Sequence, residues 1–239
     1  MVTGVEIVVV VVAVAAGALV QATAGIGITL VAAPFLLAVD PAFLPFPMIL
    51  GGTVVGIRNL VGELHGFDGR RWWLCLLGAP VGLVVGELSV ANLSDRGLRL
   101  VVGVLVVASV GALASGWRPP RARWTPVLTG CLVTFGIRVA ALPGPPYAIL
   151  HHDDPPDVLR PNLASFVLVM SVVVVVRMVV AGEVTGRDLG LSALVMGSAA
   201  VGLALSPGAR RLVDRSLFRP LLLSLCGLGG LATIVGAVA

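Results

Sequence analysis

The chain has 239 residues, 58% of them hydrophobic and only 12% charged, with a mean hydropathy of +1.07. Soluble domains average about 25% charged residues, so this chain has too few polar groups to cover a water-facing surface and is expected to be solvated by lipid. Its net charge of +4 comes from 16 basic residues, all arginine, scattered in short gaps between apolar runs; that pattern orients a membrane protein and argues against a nucleic-acid-binding face.

A membrane-spanning helix needs about 20 apolar residues. Residues 5–20 form the first run. It lacks a basic leader and a cleavage site before the next run, so it reads as a retained span rather than a signal peptide. It passes into QATAGIGITLVAAP (21–34), a faintly polar, glycine-rich interruption. Leu30–Val39 then resumes as a half-length segment of about 15 Å, half a bilayer. Full spans are predicted at Phe43–Gly62, Trp72–Ala91 and Leu98–Gly116. Trp72 and Trp73 fall where an interfacial aromatic belt would place them. WRPPRARW (117–124) is a polar, proline-broken linker between halves. Pro126–Leu142 follows and carries Arg138; PGPP (143–146) is expected to break it, leaving the stub Tyr147–Leu150 and the polar loop HHDDPPDVLRP (151–161). Three more spans are predicted at Asn162–Ala181, Leu189–Ser206 and Pro220–Val238.

The same landmarks recur in the same order in both halves. Pro34, Asp40-Pro41, Arg58, Gly62-Glu63, VGL (81–83) and SDRGLRLV (94–101) are answered by Pro146, Asp154-Pro155, Arg177, Gly182-Glu183, VGL (201–203) and VDRSLFRPL (213–221). The expected architecture is an all-α polytopic membrane protein of two repeats of about four transmembrane helices, each opening with a broken or re-entrant helix. Residues 1–116 form the first repeat, 117–125 the linker loop and 126–239 the second repeat. If each broken element folds back as a hairpin, the repeats are inverted. Loops 63–71, 117–125, 151–161 and 207–219 then share the cytoplasmic side, gathering most loop arginines there, among them Arg210, Arg211, Arg215 and Arg219. A single crossing by each broken element makes the repeats parallel and sends the last basic loop outside. The arginine count favours the inverted arrangement.

Irregular backbone inside a bilayer is tolerated only where it is buried in protein or lines a wet cavity. Two breaks at matching places in two repeats are the sequence signature of a transporter's substrate site. Half-helix N-termini present unpaired N–H groups and a positive dipole end, which suit an anion. Gly25 and Gly27 would let a ligand approach the backbone, with Gln21, Thr23 and Thr29 as side-chain donors; the same small residues also serve close helix packing. Arg138, about 18 Å into its run, either holds an anionic substrate in its guanidinium fork or snorkels to an interface. Arg58 and Arg177 fit structural ion pairs or interface anchors. Asn59 and Asn162, at span edges, are ligands or helix caps. His151 and His152 have no metal-ligand spacing. Cys75, Cys131 and Cys226 are isolated and read as packing residues. There is no G-x-S-x-G, no Ser/His/Asp set and no Walker motif, so neither an enzyme nor a cofactor is expected. Few carboxylates lie deep in the spans, so no proton relay is read. An inside-negative potential alone, about 2.3 kcal/mol per charge per 100 mV, would drive an anion outward.

GIGITLVAAPFLL (25–37), LPGPPYAIL (142–150) and the arginine-rich proline linker together resemble the sulfite exporter TauE/SafE family of bacterial permeases, over nearly the whole chain. The resemblance implies a multi-pass bacterial inner-membrane protein that moves sulfite, a sulfonate or a related small organic anion, most simply by export. By it, Gly25, Gly27 and Pro34 match the first glycine motif, and Gly144, Pro145 and Pro146 the second. GIRVAAL, with its Arg138, departs from the small glycine-rich sequence usual before the second break. The partners implied are a small anionic substrate and the lipid bilayer; a homo-oligomer stays open. The competing reading is a non-transporting integral membrane scaffold or assembly protein whose glycines only pack helices.

Overall fold

A computed structural model describes residues 3–24, 27–62, 66–120, 122–212 and 215–238. Among these the regular structure is entirely helical: α1 (Gly4–Ala24), α2 (Ile28–Val39), α3 (Phe46–Gly62), α4 (Gly69–Asn92), α5 (Asp95–Ser115), α6 (Thr125–Ala140), α7 (Gly144–Leu150), α8 (Pro156–Val180), α9 (Gly186–Leu212) and α10 (Arg215–Val238), with a short 3-10 turn at Pro41–Phe43. Six of them, α1, α3, α4, α5, α8 and α9, are long and apolar enough to cross a membrane. Their outward faces carry bare Val, Leu and Ile, such as Val81, Val180 and Leu205, which only lipid can solvate. The chain is an all-α polytopic membrane protein.

The interruptions fall near the predicted places, with two shifts. The second break sits at residues 141–143 rather than on the prolines, and Pro145 and Pro146 begin α7. Proline lacks the N–H that a first helical turn leaves unpaired anyway, and its fixed φ suits that turn. What ends α6 is Ala141, in the left-handed region at φ 51°. There the N–H of Leu142 donates to the Gly136 carbonyl and that of Ala141 to Ile137, a Schellman-type closure normally made by glycine. For the same reason α8 begins at Pro156, inside the stretch expected to be loop.

Helices are held by glycine-mediated close approach. Gly78, Gly82 and Gly130 bring α4 and α6 together so tightly that a Cβ on Gly82 would lie 2.1 Å from the Cys131 carbonyl oxygen. Gly202 in α9 makes the same approach to α1, 2.1 Å from the Ala15 carbonyl oxygen. Gly82 and Gly202 are the central residues of the two VGL triplets. Thus α4 packs on α6, α9 packs on α1, and α5 pairs with α10.

Loop contacts sort the helix ends. At one end, Arg71 Nη1 donates to Asp154 Oδ1 at 2.7 Å. Asn162 ties the 66–68 turn to α8 by accepting from the Asp68 N–H and donating to the Gly66 carbonyl. At the other end, Arg187 in the first turn of α9 pairs with Asp40 just beyond α2, and Arg96 at the start of α5 reaches the Val238 carbonyl. From its break, α2 therefore leads toward the Asp40–Arg187 end. In contrast, α7 leads from its break back toward the Arg71–Asp154 end, where His151 meets Thr129 near the start of α6.

Candidate functional site

The two breaks meet. Thr29, in the first turn of α2, donates from Oγ1 to the Ala141 carbonyl at 2.5 Å, joining residues 112 apart in the chain. Gly27 precedes α2 at φ 102° with open space where a side chain would be, a conformation that suits glycine. Gln21, still within α1, reaches over the gap and accepts the Ile28 N–H through Oε1 at 2.6 Å. One of the unpaired donors at the start of α2 is thereby capped from within.

Around this junction lies a cavity of about 700 Å³. Gln21, Gly27, Thr29, Asn59, Gly144 and Pro145 all line it. The break residues Ala141 and Pro143, and Gly52, Gly56 and Ser171 from α3 and α8, complete its walls. Toward the Arg71–Asp154 end its lining reaches Trp117, Arg118, His152 and Arg160. Arg118 and Arg160 are exposed, which places two cations at the mouth. No carboxylate is found among the described lining residues.

Several anticipated residues lie elsewhere. Arg138, anticipated in the same cavity, is 1% exposed and faces away from it, into a cluster of charges. Its Nε donates to Glu87 Oε1 at 2.7 Å and its Nη2 to Glu87 Oε2 at 3.0 Å and Glu183 Oε2 at 2.8 Å. Arg177 closes the ring, 2.7 Å from Glu87 Oε2 and bonded also to Glu183. Two guanidinium groups and two carboxylates alternate, so the buried charge is compensated within the protein. Of the two roles expected for Arg177, ion pair or interface anchor, its contacts are those of an ion pair, with Glu183 and Glu87 as partners. Pro34 packs against Gly229 of α10, Asn162 is buried in its loop-fastening bonds, and Arg58 is exposed outside the cavity wall. Pro146 starts α7 but does not line the cavity. Gly25 lies outside the described residues, as do the side chain of Thr23 and those of the basic residues between 210 and 219.

Sequence reasoning passed over Arg118, Arg160, His152 and Ser171 as lining residues. Arg118 and Arg160 carried a signal, being arginines in the two polar stretches on either side of the segment that holds the second break. Ser171, in an unbroken apolar run, carried none.

The family model for sulfite exporter TauE/SafE matches residues 9–233. The chain belongs to the sulfite exporter TauE/SafE family. It is therefore a membrane transporter and not an enzyme, and the matched region covers both breaks, the cavity and the ion-pair ring. No curated protein and no solved structure matches this TauE/SafE chain.

Proposed function

We propose that this protein is a secondary permease of the bacterial inner membrane that exports a small sulfur-containing or organic anion, sulfite or a sulfonate in the first instance, through the cavity between the two breaks. The observation that carries this is the cavity's electrostatics: it is lined by the starts of α2 and α7, reached past Arg118 and Arg160, and free of carboxylates among the described lining residues. Backbone N–H groups and the positive dipole end of α2, with the Gln21 amide N–H, suit sulfo-oxygens; the Thr29 hydroxyl gives its hydrogen to the Ala141 carbonyl and holds the two breaks together. Gly27, with open space where a side chain would be, keeps the backbone accessible there.

Two repeats in inverted orientation, 1–116 and 126–239 about the 117–125 linker, are part of this reading. The reciprocal Gly82 and Gly202 contacts support it, as do short helices leaving the two breaks in opposite directions. With the arginine-rich loops in the cytoplasm, the cavity mouth faces inward, as an exporter's loading state requires.

Flux of sulfite, thiosulfate and small sulfonates from proteoliposomes tests the reading. Thr29→Val keeps the shape of the side chain and removes the hydroxyl that joins the breaks. It is expected to lower flux about tenfold, the effect of losing one bond of about 1 kcal/mol or slightly more, while the protein stays monodisperse. Absence of flux for every anion in the wild-type protein would favour the scaffold reading.

A further inference from the structure

His151 lies outside the substrate junction and serves no purpose in the anion-binding argument, yet it is 4% exposed and surrounded by polar partners. Its backbone N–H closes α7 by donating to the Tyr147 carbonyl at 3.0 Å, and its ring stacks on Tyr147 at 4.6 Å. Nδ1 lies 3.1 Å from Asp154 Oδ2. Nε2 lies 3.2 Å from Thr129 Oγ1, and that hydroxyl in turn donates to the Thr125 carbonyl at 2.8 Å. Both ring nitrogens thus face oxygens that can accept. A neutral imidazole has one donor nitrogen; the imidazolium has two.

We infer that His151 is a proton-binding site that couples protonation to the substrate cavity, a step that rests on the permease reading above. The charged ring donates to Asp154 through Nδ1 and to Thr129 through Nε2, leaving the threonine hydroxyl on the Thr125 carbonyl. When the proton leaves Nε2, the hydroxyl turns to donate to the bare nitrogen and releases Thr125. The proton therefore restores the Thr129–Thr125 bond and makes charge-assisted, about twice as strong as a neutral bond, the bond that in either state joins α7 and α6. These are the two arms of the hairpin whose tip, Ala141–Pro143, forms part of the cavity wall and accepts from Thr29. The length of α7, about 10 Å, separates His151 from Gly144 at its start.

The surrounding charges set the balance. Asp154 faces the ring and accepts from Arg71 of α4, which Asp68 also holds. Tyr147 stacks on the ring, and Cys75 of α4 is near enough to Tyr147 to act on it electrostatically. His152 pairs instead with Asp153, while Asp157 and Arg160 on the first turns of α8 are exposed. The carboxylate of Asp154 stays available to the imidazolium because Arg71 engages its other oxygen.

Two measurements on the full chain test this. Histidine-labelled protein in detergent, with His151→Gln assigning the signal, is expected to show His151 titrating between roughly pH 5 and 8. Thr129→Val removes an acceptor that serves the charged form more than the neutral one. It is expected to lower the midpoint by about one pH unit, the equivalent of one hydrogen bond. In proteoliposomes loaded with thiosulfate, which stays fully ionised throughout, the pH profile of flux should move by the same amount. No titration of His151, or coincident wild-type and Thr129→Val flux profiles, overturns the inference. A wild-type protein that moves no anion at any pH overturns the permease reading and the coupling with it, and the titration alone then reports whether the proton site exists.

Discussion

Arg138 shows how an expensive residue is accommodated. A guanidinium removed from water costs several kcal/mol unless its partners are well placed, and here a bidentate carboxylate and a second carboxylate meet it. Replacing it with methionine leaves Glu87 and Glu183 crowded around Arg177 alone. Arg138→Met is expected to cost about 3 kcal/mol, read as a lower melting temperature in detergent, and Glu87→Gln on that background should restore part of it, the signature of a coupled pair. Because Arg138 does not touch the cavity, the Arg138→Met protein that survives reconstitution should keep its KM for the transported anion. A substrate-holding arginine would instead raise KM. The sequence made the cost of Arg138 visible from its depth in an apolar run, but its partners lie 51 and 45 residues away. Glu87 read as a span-end residue and Glu183 as loop. No local pattern assigns partners across that separation.

Helix pairs here are fixed by missing side chains rather than by large ones, as expected where lipid supplies no hydrophobic drive for association. A Cβ on Gly130 would lie 1.8 Å from the Cys75 carbonyl oxygen, and one on Gly202 would lie 2.1 Å from that of Ala15. Both obstacles are backbone and cannot turn aside. Gly130→Ala and Gly202→Ala are each expected to cost about 3 kcal/mol, at the upper end of overpacking, whereas Gly111→Ala, with nothing within 4 Å of its Cβ, should be neutral or stabilising by up to about 1 kcal/mol. Thermal unfolding in one detergent compares all three. At this scale much was legible: glycine and proline punctuation located both breaks, and run length located the spans. The exact end of α6 was not, because proline reads equally as a stop and as a first turn, and an alanine made the left-handed closure.

Across the whole molecule, Arg71 joins the start of α4 to Asp154 and Asn162 ties the 66–68 turn to α8, so these helix ends lie together. The reading of α6 and α7 as a returning hairpin puts the linker on that face too. Cysteines introduced at exposed Arg123 and Asp153, in a background lacking Cys75, Cys131 and Cys226, should then react with a membrane-impermeant thiol reagent from the same face of the membrane. A single crossing by α6 and α7 would put them on opposite faces. Ordered landmarks in the two halves led to this expectation from sequence. That the breaks touch was not readable, since Thr29 and Ala141 are 112 residues apart and no local pattern links them.

The Gln21 cap on Ile28 bears on turnover. A carrier must reorient empty as well as loaded, and a bare backbone donor facing an empty chamber would penalise the unloaded form. Gln21 acts there as a resident stand-in for cargo. An arriving anion displaces an amide oxygen instead of filling a vacancy, so it gains only the difference between two bonds. Loose grip with quick release is the expected character of such a chamber, closer to a turnstile than to a trap.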